Sequence, residues 1–138
     1  LLVAALLLGL FTVTSLQLWQ GALATVQQGQ RQGLWLTWMD SQLNRDEGLL
    51  RRAAPAFPTN CADPQQRLQR LAVLGQLLTN AGMLPAGKAL LQAGPPQRLV
   101  QRGAEGLLLQ LRNPDQTLSR ERHFSLEGLG VCLALAQP

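Results

Sequence analysis

The chain has 138 residues, with twelve Lys+Arg against eight Asp+Glu and a formal charge of +4, which is room for one small domain and an extension. One histidine and two cysteines cannot complete a four-ligand zinc site, and the sequence carries no nucleophile elbow, P-loop or dinucleotide-binding fingerprint. No charged residue precedes Arg31, so residues 1–26 read as one physical object and residues 27–138 as another, the head. The head's basicity is almost all arginine, Lys88 being the one lysine; an excess of this size favours anionic partners or simply describes a soluble surface.

Residues 1–18 read LLVAALLLGLFTVTSLQL, with Thr12, Thr14, Ser15 and Gln17 as the polar members. Hydroxyl side chains bond back to the helix's own carbonyls and are tolerated in an apolar helix. Counted on through Ala22, Ala24 and Val26, the run is long enough to cross a bilayer, since about 20 residues cover about 30 Å. It reads as an anchor rather than a cleaved signal peptide, because no small-x-small site breaks the run between Leu16 and Trp19. A polar stretch follows, Gln27, Gln28, Gln30, Arg31 and Gln32, without proline. Apolar residues then return at helical spacing, Leu36, Met39, Leu43 and Leu50, with Trp35 and Trp38 beside them, and the first proline is Pro55. The pattern predicts one helix over residues 1–53. Gly21, Gly29 and Gly33 are the points where it can bend. Its first half is apolar all round; its second half, within residues 27–54, is amphipathic and buries one face against the rest of the head, residues 55–138.

Asp63-Pro64-Gln65-Gln66 predicts a helix start: Asp as N-cap, Pro at the first helical position, Gln66 at the capping-box position. Leu68, Leu71, Leu74 and Leu78 keep helical spacing up to a stop at Asn80-Ala81-Gly82. A short helix is expected over residues 85–93, closed by Gly94-Pro95-Pro96. The period then changes. Leu107, Leu109 and Leu111 share one face of a strand over residues 106–112, Asn113-Pro114-Asp115-Gln116 is a turn, and residues 120–127 alternate, with Arg122, Phe124 and Leu126 on one side. These form an antiparallel hairpin, to which residues 98–102 add a third strand. The fold class is α+β: a long N-terminal α-helix, apolar in its first half, packed on a small antiparallel β-sheet head.

The opening LLVAALLLGLFTVTSLQLWQ, running as one helix into a small head with two cysteines of which one is near the end, resembles the hydrophobic arm and head of type IV pilins and type II secretion pseudopilins. In that family a Gly-Phe-Thr-Leu-x-Glu segment precedes such a Leu-Leu-Val-Ala run, and the prepilin peptidase cuts after the Gly and methylates the new N-terminus. The match would start this sequence just after the family's glutamate. The resemblance covers about fifty residues of helix pattern plus the layout of the head. It implies a structural filament subunit, major or minor pilin or secretion pseudopilin, that is not an enzyme and needs no cofactor. Its partners would be other pilin subunits, the inner membrane before assembly and the pilus assembly machinery. It would sit as a single-pass protein of the cytoplasmic membrane with its head outside, and then in an extracellular pilus serving adhesion, motility or DNA uptake. The rival expectation is a singly anchored periplasmic binding or enzymatic domain.

Cys61 and Cys132 form a disulfide if the head is exported, and are two buried free thiols otherwise; the N-terminal segment argues for export. Arg67 and Arg70 lie one turn apart on the second predicted helix, and Arg120 and Arg122 share a strand face, so each pair presents two guanidinium groups suited to phosphate. If the pairs converge, DNA is an expected partner; otherwise they cover apolar surface or face neighbouring subunits. His123 is expected at a solvent-facing strand position. The neighbours Asp46 and Glu47 point in different directions on a helix and do not make a catalytic carboxylate pair. Trp35 and Trp38 are expected between helix and sheet or against a neighbouring subunit, rather than stacked on bases or at a headgroup interface.

Overall fold

The computed structural model describes residues 1–132. Helix α1 runs over Leu2–Ala53 and a 3-10 turn over Ala54–Ala56, where Pro55 has no N–H to continue the helical ladder. Helix α2 follows at Pro64–Ala81 and a single turn, α3, at Lys88–Leu91. Strands β1 (Gln97–Arg102), β2 (Gly106–Arg112) and β3 (Ser119–Ser125) form a three-stranded sheet in that order, with both pairings antiparallel. This is the predicted α+β arrangement. α1 passes through Gly21, Gly29 and Gly33 as helix.

The chain divides into two compact units, Leu1–Leu34 and Trp35 onward. The dividing point follows from burial: every residue of the first unit is exposed, and Trp35 is the first buried side chain. In the second unit α1 buries Trp35, Trp38, Met39, Gln42, Leu43, Asp46 and Leu50. The stripe holds Met39, Leu43 and Leu50 as the spacing predicts, while Leu36 is only half-buried and the two tryptophans, edge-to-face at 5.9 Å between ring centroids, sit inside the core. α2 contributes Leu71, Leu74 and Leu78, and β2 contributes Leu107, Leu109 and Leu111, all at 1 % exposure or less. At about 25 cal/mol per Å² of apolar area, burying each leucine stabilises the head by roughly 1.5–3 kcal/mol before entropy is counted.

Register assigns the covered face of the sheet. Arg98, Leu111 and Arg120 lie across from one another, as do Val100, Leu109 and Arg122, and Arg102, Leu107 and Phe124. Residues directly opposite in an antiparallel sheet share a face. The covered face is therefore leucine along its central strand and largely arginine along both edges.

Two glycines are obligatory. A Cβ on Gly106 would sit 2.2 Å from the carbonyl oxygen of Phe124, so the β2–β3 pairing closes only over glycine there. Gly82 ends α2 at φ 65°, which L side chains rarely adopt.

Two local expectations are corrected. Asp63 does cap α2, its Oδ1 accepting from the Gln65 N–H at 2.9 Å, but Gln66 does not complete a capping box. Its Oε1 accepts from the Asn60 N–H at 3.2 Å instead, because the Asp63 N–H is already bonded to the Asn60 carbonyl. The helix expected over residues 85–93 is only α3, since Gly87 before it is extended, at ψ 153°, and gives no side-chain cap. The turn between β2 and β3 is built by Asn113, whose Oδ1 accepts from the Leu118 N–H at 2.9 Å, and by Asp115, whose Oδ1 accepts from the Thr117 N–H at 3.1 Å and hydroxyl at 2.7 Å.

Candidate functional site

The first unit is a helix with no buried residue. Its threonine hydroxyls are spent on its own backbone: Thr12 donates to the carbonyls of Leu8 and Gly9 at 3.1 and 2.9 Å, Thr14 to those of Leu10 and Phe11 at 2.9 and 3.1 Å, and Thr25 to that of Gly21 at 2.9 Å. The surface offered outward is Leu, Val, Phe and Trp, with Phe11 77 % and Trp19 70 % exposed. An 18-residue window of α1 reaches a mean hydropathy of 1.9, and the helix is long and apolar enough to cross a membrane.

In the second unit Cys61 and Cys132 are bonded, with Cα atoms 5.3 Å apart and a sequence separation of 71. Thr59 pairs with Cys132 in a parallel bridge, and the Thr59 N–H donates to the Val131 carbonyl at 2.9 Å. In the chain-entropy picture a loop of this length stabilises by about 4 kcal/mol. Among the described residues one group of three possible metal donors is found, Cys61, Cys132 and Glu127, and its two sulfurs are spent on each other.

The four arginines singled out in the sequence go to two different places. Arg67 pairs with the Glu127 carboxylate and donates to the carbonyls of Cys61 at 3.3 Å and Glu105 at 3.4 Å. Arg70 donates from Nε to the Thr59 hydroxyl at 2.9 Å and lies over the Phe57 ring, 4.7 Å from its centroid. This pair braces the disulfide corner. Arg120 pairs with Asp40 at 3.5 Å, and Arg122 reaches Asn44 Oδ1 at 3.0 Å and Glu47 Oε2 at 2.8 Å. That pair braces β3 against α1. Bonding first to Arg51 and then to Arg122 holds the Glu47 carboxyl below the usual glutamate range, and Arg67 does the same for Glu127.

A polar junction joins α1, α2 and β1, and the sequence reading did not find it. Asp46 is fully buried, with Oδ1 accepting from Gln42 Nε2 at 2.9 Å and Oδ2 3.3 Å from Arg98 Nη2. Gln42 Oε1 accepts from the Leu84 N–H at 2.6 Å. Arg98 donates to the carbonyls of Gly82 at 2.7 Å and Leu78 at 2.9 Å, and Arg45 to that of Ala81 at 3.2 Å. Two guanidinium groups thus take up the orphan carbonyls at the negative end of α2. Burial pushes the Asp46 carboxyl above the usual aspartate range, with Gln42, Arg98 and Arg45 acting the other way. Burial likewise draws the Arg98 guanidinium down, opposed by Asp46. The signal available in the sequence was position: Asp46 falls in the stripe of Met39, Leu43 and Leu50, where a carboxylate needs a buried cation.

His123 is exposed on β3, as expected, at the edge of a polar recess of about 520 Å³ that is also lined by Arg67, Glu105, Ser125 and Glu127. No protein-family model, curated protein or solved structure gives a significant match to this chain.

Proposed function

We propose that the chain is a membrane-anchored structural subunit of a type IV pilus-like filament, of the pilin or pseudopilin class, and not an enzyme. One observation carries the reading: a single helix, α1, is largely apolar up to Val26, wholly exposed and free of charge up to residue 30, and from Trp35 onward supplies one wall of a disulfide-closed head. A membrane anchor alone needs about 20 residues. Helix continuing from the apolar run into the core of the head suits a subunit whose arm leaves the bilayer to bundle with others. The α+β head, with a three-stranded antiparallel sheet over the amphipathic half of that helix, supports the same reading. In the filament the arms take apolar surface away from both lipid and water. Before assembly the subunit rests in the cytoplasmic membrane with its head on the oxidising side, where the Cys61–Cys132 bond persists.

The test is expression of the full-length protein in cells with a pilus assembly system, followed by shearing, fractionation and electron microscopy. Recovery of the chain in sheared filaments is the expected result. Retention as an unassembled single-pass protein in the membrane fraction overturns the filament reading in favour of an anchored periplasmic domain.

A further inference from the structure

On the head, an apolar groove of about 310 Å³ runs between the end of α1 and one side of α2. Ala53, the last residue of α1, and Phe57, just past the 3-10 turn, line one side and Val73 and Leu77 of α2 the other, with Phe57 40 %, Val73 45 % and Leu77 37 % exposed. Its polar lining, Gln76 and Asn80, is joined by one hydrogen bond, the Gln76 amide donating to Asn80 Oδ1 at 3.0 Å. No ionisable side chain lines it. From Val73 to Asn80 is about two helical turns, roughly 10 Å, which accepts two or three anchors of a docked helix.

The arm carries a segment in need of such a surface. Leu16, Trp19, Leu23 and Val26 recur at three- and four-residue spacing, each more than half exposed. Gln17, Gln20, Gln27 and Gln28 lie on a different side of the helix. Glutamine on one side sets this stretch apart from the wholly apolar residues 1–11, and leucine and tryptophan on the other make it a poor fit to water once the arm has left the bilayer. It has no charge to desolvate, and the cation flanking the groove, Arg70 over the Phe57 ring, already donates to the Thr59 hydroxyl. A soluble partner's helix ordinarily brings charges; the chain's own first thirty residues bring none.

We infer that this groove is the docking site for the arm of a second copy of the chain, which lays its Leu16–Trp19–Leu23–Val26 side between Phe57 and Leu77. The inference rests on the filament reading and adds which part of the head receives which part of a neighbour.

The experiment places a photoreactive benzoylphenylalanine at Leu77 of the full-length chain and co-assembles it with isotopically heavy, unmodified chain. After irradiation of the filaments, heavy–light adducts joining position 77 to residues 16–26 are expected. In the same chain with the probe at Phe57, Val73→Asp should lower the yield of those adducts about tenfold, the factor that roughly 1.4 kcal/mol of lost affinity gives. An intact Cys61–Cys132 bond and an unchanged circular dichroism spectrum show that the variant is folded. Filaments that form but give adducts only to heads, only within one chain, or not at all overturn the groove assignment and leave the filament reading standing. No filaments and no heavy–light adduct overturn both.

Discussion

Asp46 on α1 and Arg98 on β1 meet 3.3 Å apart with 0 % and 7 % of their side chains exposed, and each has further bonds that tie it to α2 or the loop after it. Asp46 does so through Gln42, and Arg98 directly. Breaking one side of such a pair leaves a buried charge alone. Asp46→Ala should therefore cost about 3–5 kcal/mol, while Asp46→Ala combined with Arg98→Met should recover much of that loss. Urea denaturation of the two variants checks it; a single variant as stable as the parent would show that the pair is not closed in solution.

The same junction sets a pH dependence with a definite sign. The folded Asp46 carboxyl is raised, so its contribution to stability is fully present below the unfolded aspartate value and is lost as pH rises through the folded one. Asp46→Asn removes that dependence, so the variant should gain on the parent as pH rises through that window. Glu127 behaves oppositely: its folded carboxyl is lowered, and its contribution is lost as pH falls through the folded value. Glu127→Gln should flatten the acid limb of the stability profile, below the ordinary glutamate range. Melting temperatures across a pH series, for parent and both variants, separate the two effects.

Cys61 and Cys132 should resist alkylation unless a reductant is added, read by mass spectrometry of protein from intact cells. Cys132→Ser should destabilise the head by roughly 2–5 kcal/mol. Two alkylated thiols without reductant would remove both the bond and the main argument for an oxidising compartment.

Removing residues 1–28 should leave a soluble head with a cooperative melt, because Trp35, Trp38, Met39 and Leu43 stay to cover the sheet and the removed stretch buries nothing. Gel filtration and circular dichroism report the outcome. Aggregation of this fragment would mean that the arm belongs to the head's core.

DNA affinity is expected to be flat, not steep, in salt. Arg67, Arg70, Arg120 and Arg122 each already hold an acceptor within the chain, so their replacement by Ala should loosen the disulfide corner and β3 before it changes any phosphate contact. Binding to short duplexes whose salt slope falls on those substitutions would return the four to a nucleic-acid surface.

The backbone plan was legible because it rests on local signals. The absence of proline before Pro55, the Asp63-Pro64 start and the alternation of Leu107, Leu109 and Leu111 each reflect a period or a cap that neighbours in sequence decide. The arginine contacts were not legible, because sequence gives residues but not the register between strands. Arg98 and Arg120 meet the same Leu111 only once both pairings are set, and only then do they face the carboxylates Asp46 and Asp40. Taken with its neighbour Glu47, Asp46 shows only that the two point in different directions; its burial is written along the stripe with Met39 and Leu43.

The bond between Cys61 and Cys132 also has a mechanical meaning. All three strands and α2 lie between the two cysteines, inside one covalent ring. Tension drawn through the arm against the tail of the chain bypasses that ring across the sulfurs. It can peel Trp35, Met39 and Leu43 off the sheet and straighten residues 35–61 to a length of at most about 90 Å at roughly 3.4 Å per residue, of which the helical residues 35–53 already span about 28 Å. The strands cannot be drawn out into line with the force. A head built this way gives a little under load and then stops, and it keeps its sheet ready for α1 to return.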